Sequence, residues 1–345
     1  MSFKKNRGTP IKEASIDDTS LNLLIVIIAI LLVMLLVLAV YCTVTTIARA
    51  DGNREENPDS KPAVSGGDYP FRQDIEVNHP NLDDNSIVIM KEEDISAKHG
   101  IIYNVTDNKV IASRQASTVI YPASMTKVMT LIVAVENLKS ADDLKTVLTI
   151  SAEQGENSGY GFKPGEKLTV EDLLYASILR SDGVACLTLA EYIAGSEANF
   201  VKLMNEKARE LGLSEKTTLF QNCTGLHNDY HYSTCNDIAV IMSYAVKNMK
   251  CYEILSALYF RPSDNFRPGD GCIFWSMLIH ERLNDGKVQP KNATILAGKT
   301  GFTDEAEQCL VTYARGNDGK EYIVVTAEGG SVKNTHIDIY NDYLK

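Results

Sequence analysis

Between Thr19 and Ala48 the chain has no charged residue, and Leu21 to Val40 is almost wholly Leu, Ile, Val, Ala and Met. A run of about 20 such residues is long enough to cross a bilayer as one helix. No other feature constrains the chain so strongly, because residues on the two sides of a membrane span cannot share a core. Lys4, Lys5, Arg7 and Lys12 precede the run, and cationic flanks stay on the cytoplasmic side. Residues 1–20 therefore read as a cytoplasmic tail, 21–44 as a transmembrane anchor, and everything later as exported. Ala48-Arg49-Ala50 has the small-x-small form of a signal-peptidase site, which would release the chain after Ala50. The apolar run is longer than a usual signal segment, so the uncleaved anchor is preferred. Residues 45–85, rich in Asp, Glu, Asn, Pro, Gly and Ser, read as a flexible stalk. That leaves 86–345 for a folded domain.

A formal net charge of −11 over 345 residues leaves no broad basic surface, so nucleic acid is not an expected partner. Of seven cysteines, Cys42 lies at the end of the apolar run; Cys186, Cys223, Cys235, Cys251, Cys272 and Cys309 follow at irregular spacing without a Cys-x-x-Cys pair. That pattern fits neither a small disulfide framework nor a zinc site. Mostly free, buried thiols are expected, with Cys223 and Cys235 the first pair to test. Among six histidines none forms a His-x-x-x-His on a helix with a glutamate; His227 and His231 fall in a polar loop and read as solvated. No metal and no cofactor is expected.

The folded part opens with strand signals. Ser86–Met90 is a short apolar run, and Gly100–Val105 and Lys109–Ser113 flank Thr106-Asp107-Asn108 as a hairpin. Helical spacing then dominates. One helix runs from Pro122 through Val135, and after a short strand at Thr146–Ile150 a second is capped by Thr169, with Asp172 three residues on, and ends near Arg180. Others cover Val184–Ala194 and Phe200–Leu211, the latter closed by Gly212, and one begins at Ser233 or Thr234. Strands return at Thr294–Gly301, Cys309–Ala314 and Tyr322–Thr326, and a helix over Thr335–Leu344 follows. Strands first, helices in the middle and strands last imply one α+β domain whose sheet joins the two ends of this sequence.

Pro122-Ala123-Ser124-Met125-Thr126-Lys127 leads into the first of those helices. Positions i and i+3 share a helix face, so the Ser124 hydroxyl and the Lys127 amine are neighbours. A lysine desolvated at the mouth of an apolar helix can lose its proton and serve as base to a serine. Ser-x-x-Lys alone is a cheap pattern, and Ser2 to Lys5 repeats it. Lys299-Thr300-Gly301 on a late strand joins an amine and a hydroxyl able to hold a carboxylate to a glycine that lets a substrate backbone lie close. Ser181 places a third hydroxyl at a helix start, where it can pass a proton. Taken alone it reads as an N-cap.

Ser-x-x-Lys, then Ser-x-x, then Lys-Thr-Gly is the order of the serine penicillin-recognising enzymes. Phe162-Lys163-Pro164-Gly165-Glu166, Leu168 to Leu174, Thr224-Gly225-Leu226, Tyr232-Ser233-Thr234 and Asp237-Ile238-Ala239 add to the match. From Ile87 to Glu328 the chain resembles the low-molecular-mass penicillin-binding proteins, serine-type D-Ala-D-Ala carboxypeptidases of peptidase family S11. The resemblance implies a fold like that of β-lactamases and DD-peptidases: an antiparallel sheet flanked by helices, with an all-helical subdomain. It implies Ser124 as the acylated nucleophile, Lys127 as its base and Ser181 as proton shuttle to the departing D-alanine. Lys299 and Thr300, with Gly301 and Phe302 beside them on the strand, would bind substrate, the first two at its terminal carboxylate; the backbone N–H groups of Ser124 and Phe302 would form the oxyanion hole. The implied substrate is a peptidoglycan stem peptide ending in D-Ala-D-Ala, with β-lactams as covalent inhibitors. The implied location is a bacterial cell membrane, single-pass, with the catalytic domain outside.

The sequence departs from the family pattern at Gly183, where the second motif usually ends in an asparagine. Losing its oriented amide would cost about 1–3 kcal/mol of transition-state stabilisation, and Asp182 is the nearest side chain able to compensate. Phe302 stands where many members have histidine. Two other readings remain. A class A β-lactamase shares the fold but needs a Glu-x-x-Leu-Asn loop that this sequence lacks between its second and third motifs. A degenerate homologue would bind wall peptides without hydrolysing them, with Gly183 as its main support.

Overall fold

Strands from the two ends of the sequence meet in one sheet. A computed structural model describes residues 71–93, 95–151, 160–329 and 332–344. The first stretch supplies β1 (Val88–Ile89), β2 (Ala97–Asn104) and β3 (Lys109–Arg114), then α1 (Lys127–Glu136). The middle supplies β4 (Val147–Thr149), β5 (Lys167–Thr169), α2 (Val170–Leu179), α3 (Gly183–Ala194), α4 (Glu197–Glu210), α5 (Cys235–Lys247), α6 (Met249–Leu255), β6 (Tyr259–Phe260) and β7 (Phe274–Trp275). After a π-helical turn at Met277–Arg282 come β8 (Ala293–Thr303), β9 (Glu307–Gly316), β10 (Glu321–Gly329) and α7 (Val332–Tyr343).

The main sheet has the order β1-β3-β2-β10-β9-β8. Its seam is β2 against β10, with Ile101 opposite Val325 and Ile102 opposite Val324. All its pairings are antiparallel except the short β1, which runs parallel to β3. Side chains alternate between the faces of a strand, and both faces are covered. Ile101, Val311, Ile323 and Val325 join the core shared with the helices, while Ile102, Leu310, Val324 and Ala314 pack with Ile339 and Tyr340 of α7. On that second face His336 sits between the Thr312 and Thr326 hydroxyls at 2.8 and 2.9 Å, and burial pushes its pKa down to about 3.

All ten residues of α1 are buried. It touches α2, α3, α4, α5 and α6, as an all-round apolar helix must. The helical side of the domain also carries two two-stranded ribbons, β4–β5 and β6–β7, formed by short segments between the helices. The capping box at Thr169 and Asp172 forms as the spacing predicts, each side chain bonding the other's backbone N–H.

The cytoplasmic tail, the membrane anchor and the first part of the stalk lie outside the described residues; among those described no helix is long and apolar enough to cross a membrane. The later part of the expected stalk, 71–85, lies against the folded domain. Phe71, Ile75, Val77 and Leu82 pack on its core, Asn248 Nδ2 donates to the Phe71 carbonyl at 2.9 Å, and Lys247 Nζ donates to the Glu76 carbonyl at 2.8 Å. Four apolar side chains in fifteen polar-rich residues anchor it, too sparse a pattern to register as a strand or helix. The six described cysteines are all free, and five are buried; Cys223 and Cys235 form no bridge.

Candidate active site

Pro122 starts a 3-10 turn, Ala123–Thr126, that runs directly into α1 at Lys127. Ala123 has φ of +46°, a left-handed conformation that costs a non-glycine residue about 1–2 kcal/mol and turns the next residue, Ser124, out of the core to a half-buried position. Lys127 is 2% exposed. Its Nζ donates to Ser124 Oγ at 2.9 Å and to the Thr224 carbonyl. Burial pushes its pKa below the ordinary amine value, and the nearby acidic groups of Cys186, Cys223 and Asp182 offset only part of that. Once it has lost a proton, the amine can keep one N–H on Thr224 and turn its lone pair to the serine hydroxyl, as a general base must.

The turn is clamped from both sides by backbone. Gly225, with φ of +78°, lies so close that a Cβ there would sit 2.0 Å from the Ala123 carbonyl oxygen; one on Gly301 would lie 3.1 Å from both Pro122 O and Ser124 N. Thr130, one turn beyond Lys127, donates to the Cys223 carbonyl at 2.7 Å. His231 completes the clamp. It is 2% exposed, accepts from Gln221 N through Nδ1 at 3.2 Å and lies 2.8 Å from Thr126 Oγ1 through Nε2. With Nδ1 accepting, Nε2 carries the proton and donates to the threonine. Burial holds its pKa down at about 4, so the ring is neutral. The reading of His231 as solvated is thereby corrected: the polar residues around it face outward, and only the fold turns this one ring inward. His227 stays partly exposed beside Asp229 and Glu305.

Ser181 lies between α2 and α3 with φ of +55° and 6% exposure. It is not the cap of α3. Asp182 is, accepting from Ala185 N at 2.8 Å through one oxygen and from Tyr160 N at 3.0 Å through the other. Asp182 is fully buried, so it is not available to replace a missing amide at position 183, and burial raises its pKa. Relieved of capping, the Ser181 hydroxyl accepts from Lys299 Nζ at 2.8 Å. Lys299 also donates to the Thr300 carbonyl at 2.9 Å. Burial, then the charge of Lys127, drives the Lys299 pKa well below the usual amine range, with Arg282 adding to the effect and Cys186 opposing it. Thr300 and Gly301 are buried beside it, and Phe302 is 57% exposed.

The fold thus brings Ser124 with Lys127 and Ser181 with Lys299 into two bonded pairs, with Lys127 close enough to help lower the pKa of Lys299. The arrangement sets a hydroxyl beside a buried amine, a pair able to act as nucleophile and base, and next to them a hydroxyl–amine pair able to take a carboxylate and return a proton. Among the described residues no cluster of three or more His, Cys, Asp or Glu could hold a metal ion. Lys299, Thr300 and the Ser124 turn come from opposite ends of the domain, and contact of β8 and β9 with that turn joins them.

Comparison with known proteins gives this geometry a family. D-alanyl-D-alanine carboxypeptidase DacF of Bacillus subtilis is 32% identical over 234 residues, 66% of this chain and 57% of that protein. The Escherichia coli carboxypeptidase DacC is 30% identical over 241 residues, 67% of this chain and 56% of its own. The chain spans little more than half the length of either relative. The crystal structure of a D-alanyl-D-alanine carboxypeptidase from Mycobacterium tuberculosis superposes with a TM-score of 0.61 at 26% identity, covering 74% of this chain and 91% of that one. A Listeria monocytogenes penicillin-binding protein in its cefotaxime-bound form gives 0.57 at 25% identity, covering 72% and 94%. Residues 86–329, which include every residue of the site just described, match the Peptidase S11 family, D-alanyl-D-alanine carboxypeptidase, and the chain belongs to that family.

Proposed function

We propose that the protein is an exported serine D-Ala-D-Ala carboxypeptidase that removes the terminal D-alanine of peptidoglycan stem peptides through an acyl-enzyme on Ser124. The observation that carries this reading is Lys127 Nζ, buried, with no ion-paired carboxylate among the described residues and 2.9 Å from Ser124 Oγ. The substrate's terminal carboxylate binds at Lys299 and Thr300, and its charge offsets the cost of protonating a buried Lys299. Lys127 takes the Ser124 proton as Oγ attacks the carbonyl of the penultimate D-alanine, and backbone N–H groups of Ser124 and Phe302 stabilise the oxyanion. The C–N bond breaks as Ser181, hydrogen-bonded to Lys299, delivers its proton to the leaving amine and is reprotonated by the Lys127 ammonium, which leaves Lys127 neutral again. Water then attacks the ester, giving its proton to the neutral Lys127, which passes it to Ser124 Oγ as the Oγ–acyl bond breaks and the shortened peptide leaves. A β-lactam that mimics the D-Ala-D-Ala end acylates the same serine. The uncharged run before Arg49 supports a single-pass anchor in a bacterial cell membrane with the catalytic domain outside.

Gly183 favours the second reading, a homologue that acylates but does not turn over. Both are tested by incubating the full-length protein with a peptide ending in Lys-D-Ala-D-Ala and measuring free D-alanine against Ser124→Ala. Release that disappears in the variant is expected. Penicillin attachment at Ser124 without any D-alanine release would establish the non-hydrolysing reading, and release that persists in Ser124→Ala would refute the assigned nucleophile.

A further inference from the structure

One peptide unit carries the contact that orients the Lys127 amine. The Thr224 carbonyl accepts from Lys127 Nζ, and the N–H on the other side of the same peptide, that of Gly225, donates to Asn222 Oδ1 at 2.7 Å. The peptide is trans, so its C=O and N–H point in opposite directions, one toward the base and one toward the asparagine. Asn222 Oδ1 also accepts from Thr224 N at 3.2 Å and from Thr224 Oγ1 at 3.1 Å, while Asn222 Nδ2 donates to the Leu226 carbonyl at 2.9 Å. Three donors on the oxygen and a carbonyl on the nitrogen leave one orientation for this amide. The Thr224 hydroxyl in turn accepts from Leu226 N at 3.2 Å.

Residues 222–226 belong to no helix or strand, so no ladder of backbone bonds fixes the plane of the Thr224–Gly225 peptide. The φ of +78° at Gly225 is one that glycine adopts freely, and it does not hold the plane either. Asn222 supplies the restraint. Its side chain is a fixed acceptor for the N–H end, and a hydrogen bond there polarises the carbonyl into a better acceptor. If that peptide turned, Lys127 would lose the acceptor that takes one N–H and leaves the lone pair for Ser124 Oγ. Cys223 has other partners: its N–H donates to Glu197 Oε1 at 3.0 Å and its carbonyl accepts from Thr130 at 2.7 Å, which ties the loop to the domain independently of Asn222. We propose that Asn222 is a positioning residue for the general base: through the Thr224–Gly225 peptide it aims the Lys127 amine at Ser124. The proposal rests on the reading of Lys127 as base to Ser124, but not on whether the acyl-enzyme is then hydrolysed.

The test is acylation of the full-length protein by benzylpenicillin, resolved into the dissociation constant of the first complex and the limiting acylation rate. Asn222→Leu keeps the bulk and removes the acceptor, Asn222→Gln keeps the amide but sets it one methylene away from the Gly225 N–H, and Asn222→Asp restores an acceptor at the same place. Rates are compared on the high-pH plateau, where the charge added by Asn222→Asp no longer holds Lys127 protonated. Expected is a limiting rate lowered roughly tenfold or more in Asn222→Leu and Asn222→Gln with the dissociation constant little changed, and recovery of most of that rate in Asn222→Asp. Glu197→Ala is the control for a merely loosened loop. It frees the Cys223 N–H but leaves the Thr224–Gly225 peptide on Asn222, so it should lower thermal stability without a comparable loss of rate. Unaltered limiting rates in both Asn222→Leu and Asn222→Gln, or an equal loss in Asn222→Asp or in Glu197→Ala, would overturn the proposal. Thermal unfolding identifies a variant that does not fold, and if Asn222→Leu is one, the comparison of Asn222→Gln with Asn222→Asp decides alone. If the unaltered chain is not acylated, or Ser124→Ala is acylated as fast, the assigned nucleophile itself fails and the proposal falls with it.

Discussion

Gly225→Ala separates backbone strain from displacement of the nucleophile. The residue has φ of +78°, and an alanine held there pays about 1–2 kcal/mol for the left-handed conformation. The added methyl also lies 2.0 Å from the Ala123 carbonyl oxygen, 2.5 Å from its carbon and 3.0 Å from Ser124 N. Regaining an ordinary 3.4 Å contact requires the two backbones to part by about 1.4 Å. Neither side is free to move alone, since the Thr224 carbonyl holds Lys127 and Gly301 blocks the far side of the turn. Ser124 Oγ must therefore shift relative to Lys127 Nζ, and a misplacement of about 1 Å costs on the order of 100-fold in rate. Gly195→Ala is the control. Its φ is +75°, but no described residue lies within 4 Å of the added Cβ, so it carries only the backbone cost, about 1–2 kcal/mol. Urea unfolding and the rate of acylation by labelled penicillin, measured for both variants, should show Gly195→Ala mildly destabilised with unchanged acylation and Gly225→Ala slowed by about two orders of magnitude. If Gly225→Ala acylates at the rate of the unaltered chain, the clamp on the serine turn is not what positions the nucleophile.

Both site lysines are buried with pKa values held below 10.5. Between the folded values and 10.5 the unfolded chain binds more protons, so stability rises with pH across that window and the benefit is absent below it; Lys127→Met and Lys299→Met should each flatten the rise in urea titrations, and an unchanged slope would argue against burial of neutral amines. Lys207 Nζ lies 2.6 Å from Glu136 Oε2, with side chains 9% and 3% exposed, so Lys207→Met strands a buried carboxylate and should cost about 3–5 kcal/mol; a loss under about 1 kcal/mol in denaturant melts would show that the Tyr244 hydroxyl alone satisfies Glu136. Deleting 71–85 removes four partly buried apolar side chains from the core, an expected loss of roughly 3–5 kcal/mol at about 1 kcal/mol each. An unshifted melting temperature would return that segment to the stalk.

The hairpin at Thr106-Asp107-Asn108, the Thr169 capping box and the late strands were legible because each rests on contacts within a few residues. The same holds for Ser124 with Lys127, which one helical turn brings together. His231 was not legible. A histidine among Asn228, Asp229 and Tyr230 carries no local mark of burial, and only closure of the loop onto Thr126 gives it a partner. Asp182 was misassigned for a related reason: beside a helix start, either it or Ser181 can cap, and the φ of +55° at Ser181 decides in favour of Asp182. Strand β4 lies within the run read as a strand at Thr146–Ile150, but its partner β5, the ribbon β6–β7 and helix α6 escaped notice because two to seven residues carry little periodicity.

By itself the sequence determined which residue types were available and in what order: a serine three residues before a lysine at the head of an apolar helix, a second serine at a helix start, and a lysine and threonine on a late strand. Helix geometry makes the first pair inevitable. The union of the two pairs was decided only by tertiary structure, since Ser181 and Lys299 are 118 residues apart and meet because β8 lies against the serine turn while α3 begins beside Thr224. The lowered lysine pKa values belong to the same level, for desolvation depends on what the fold packs around an amine and not on its neighbours in the chain.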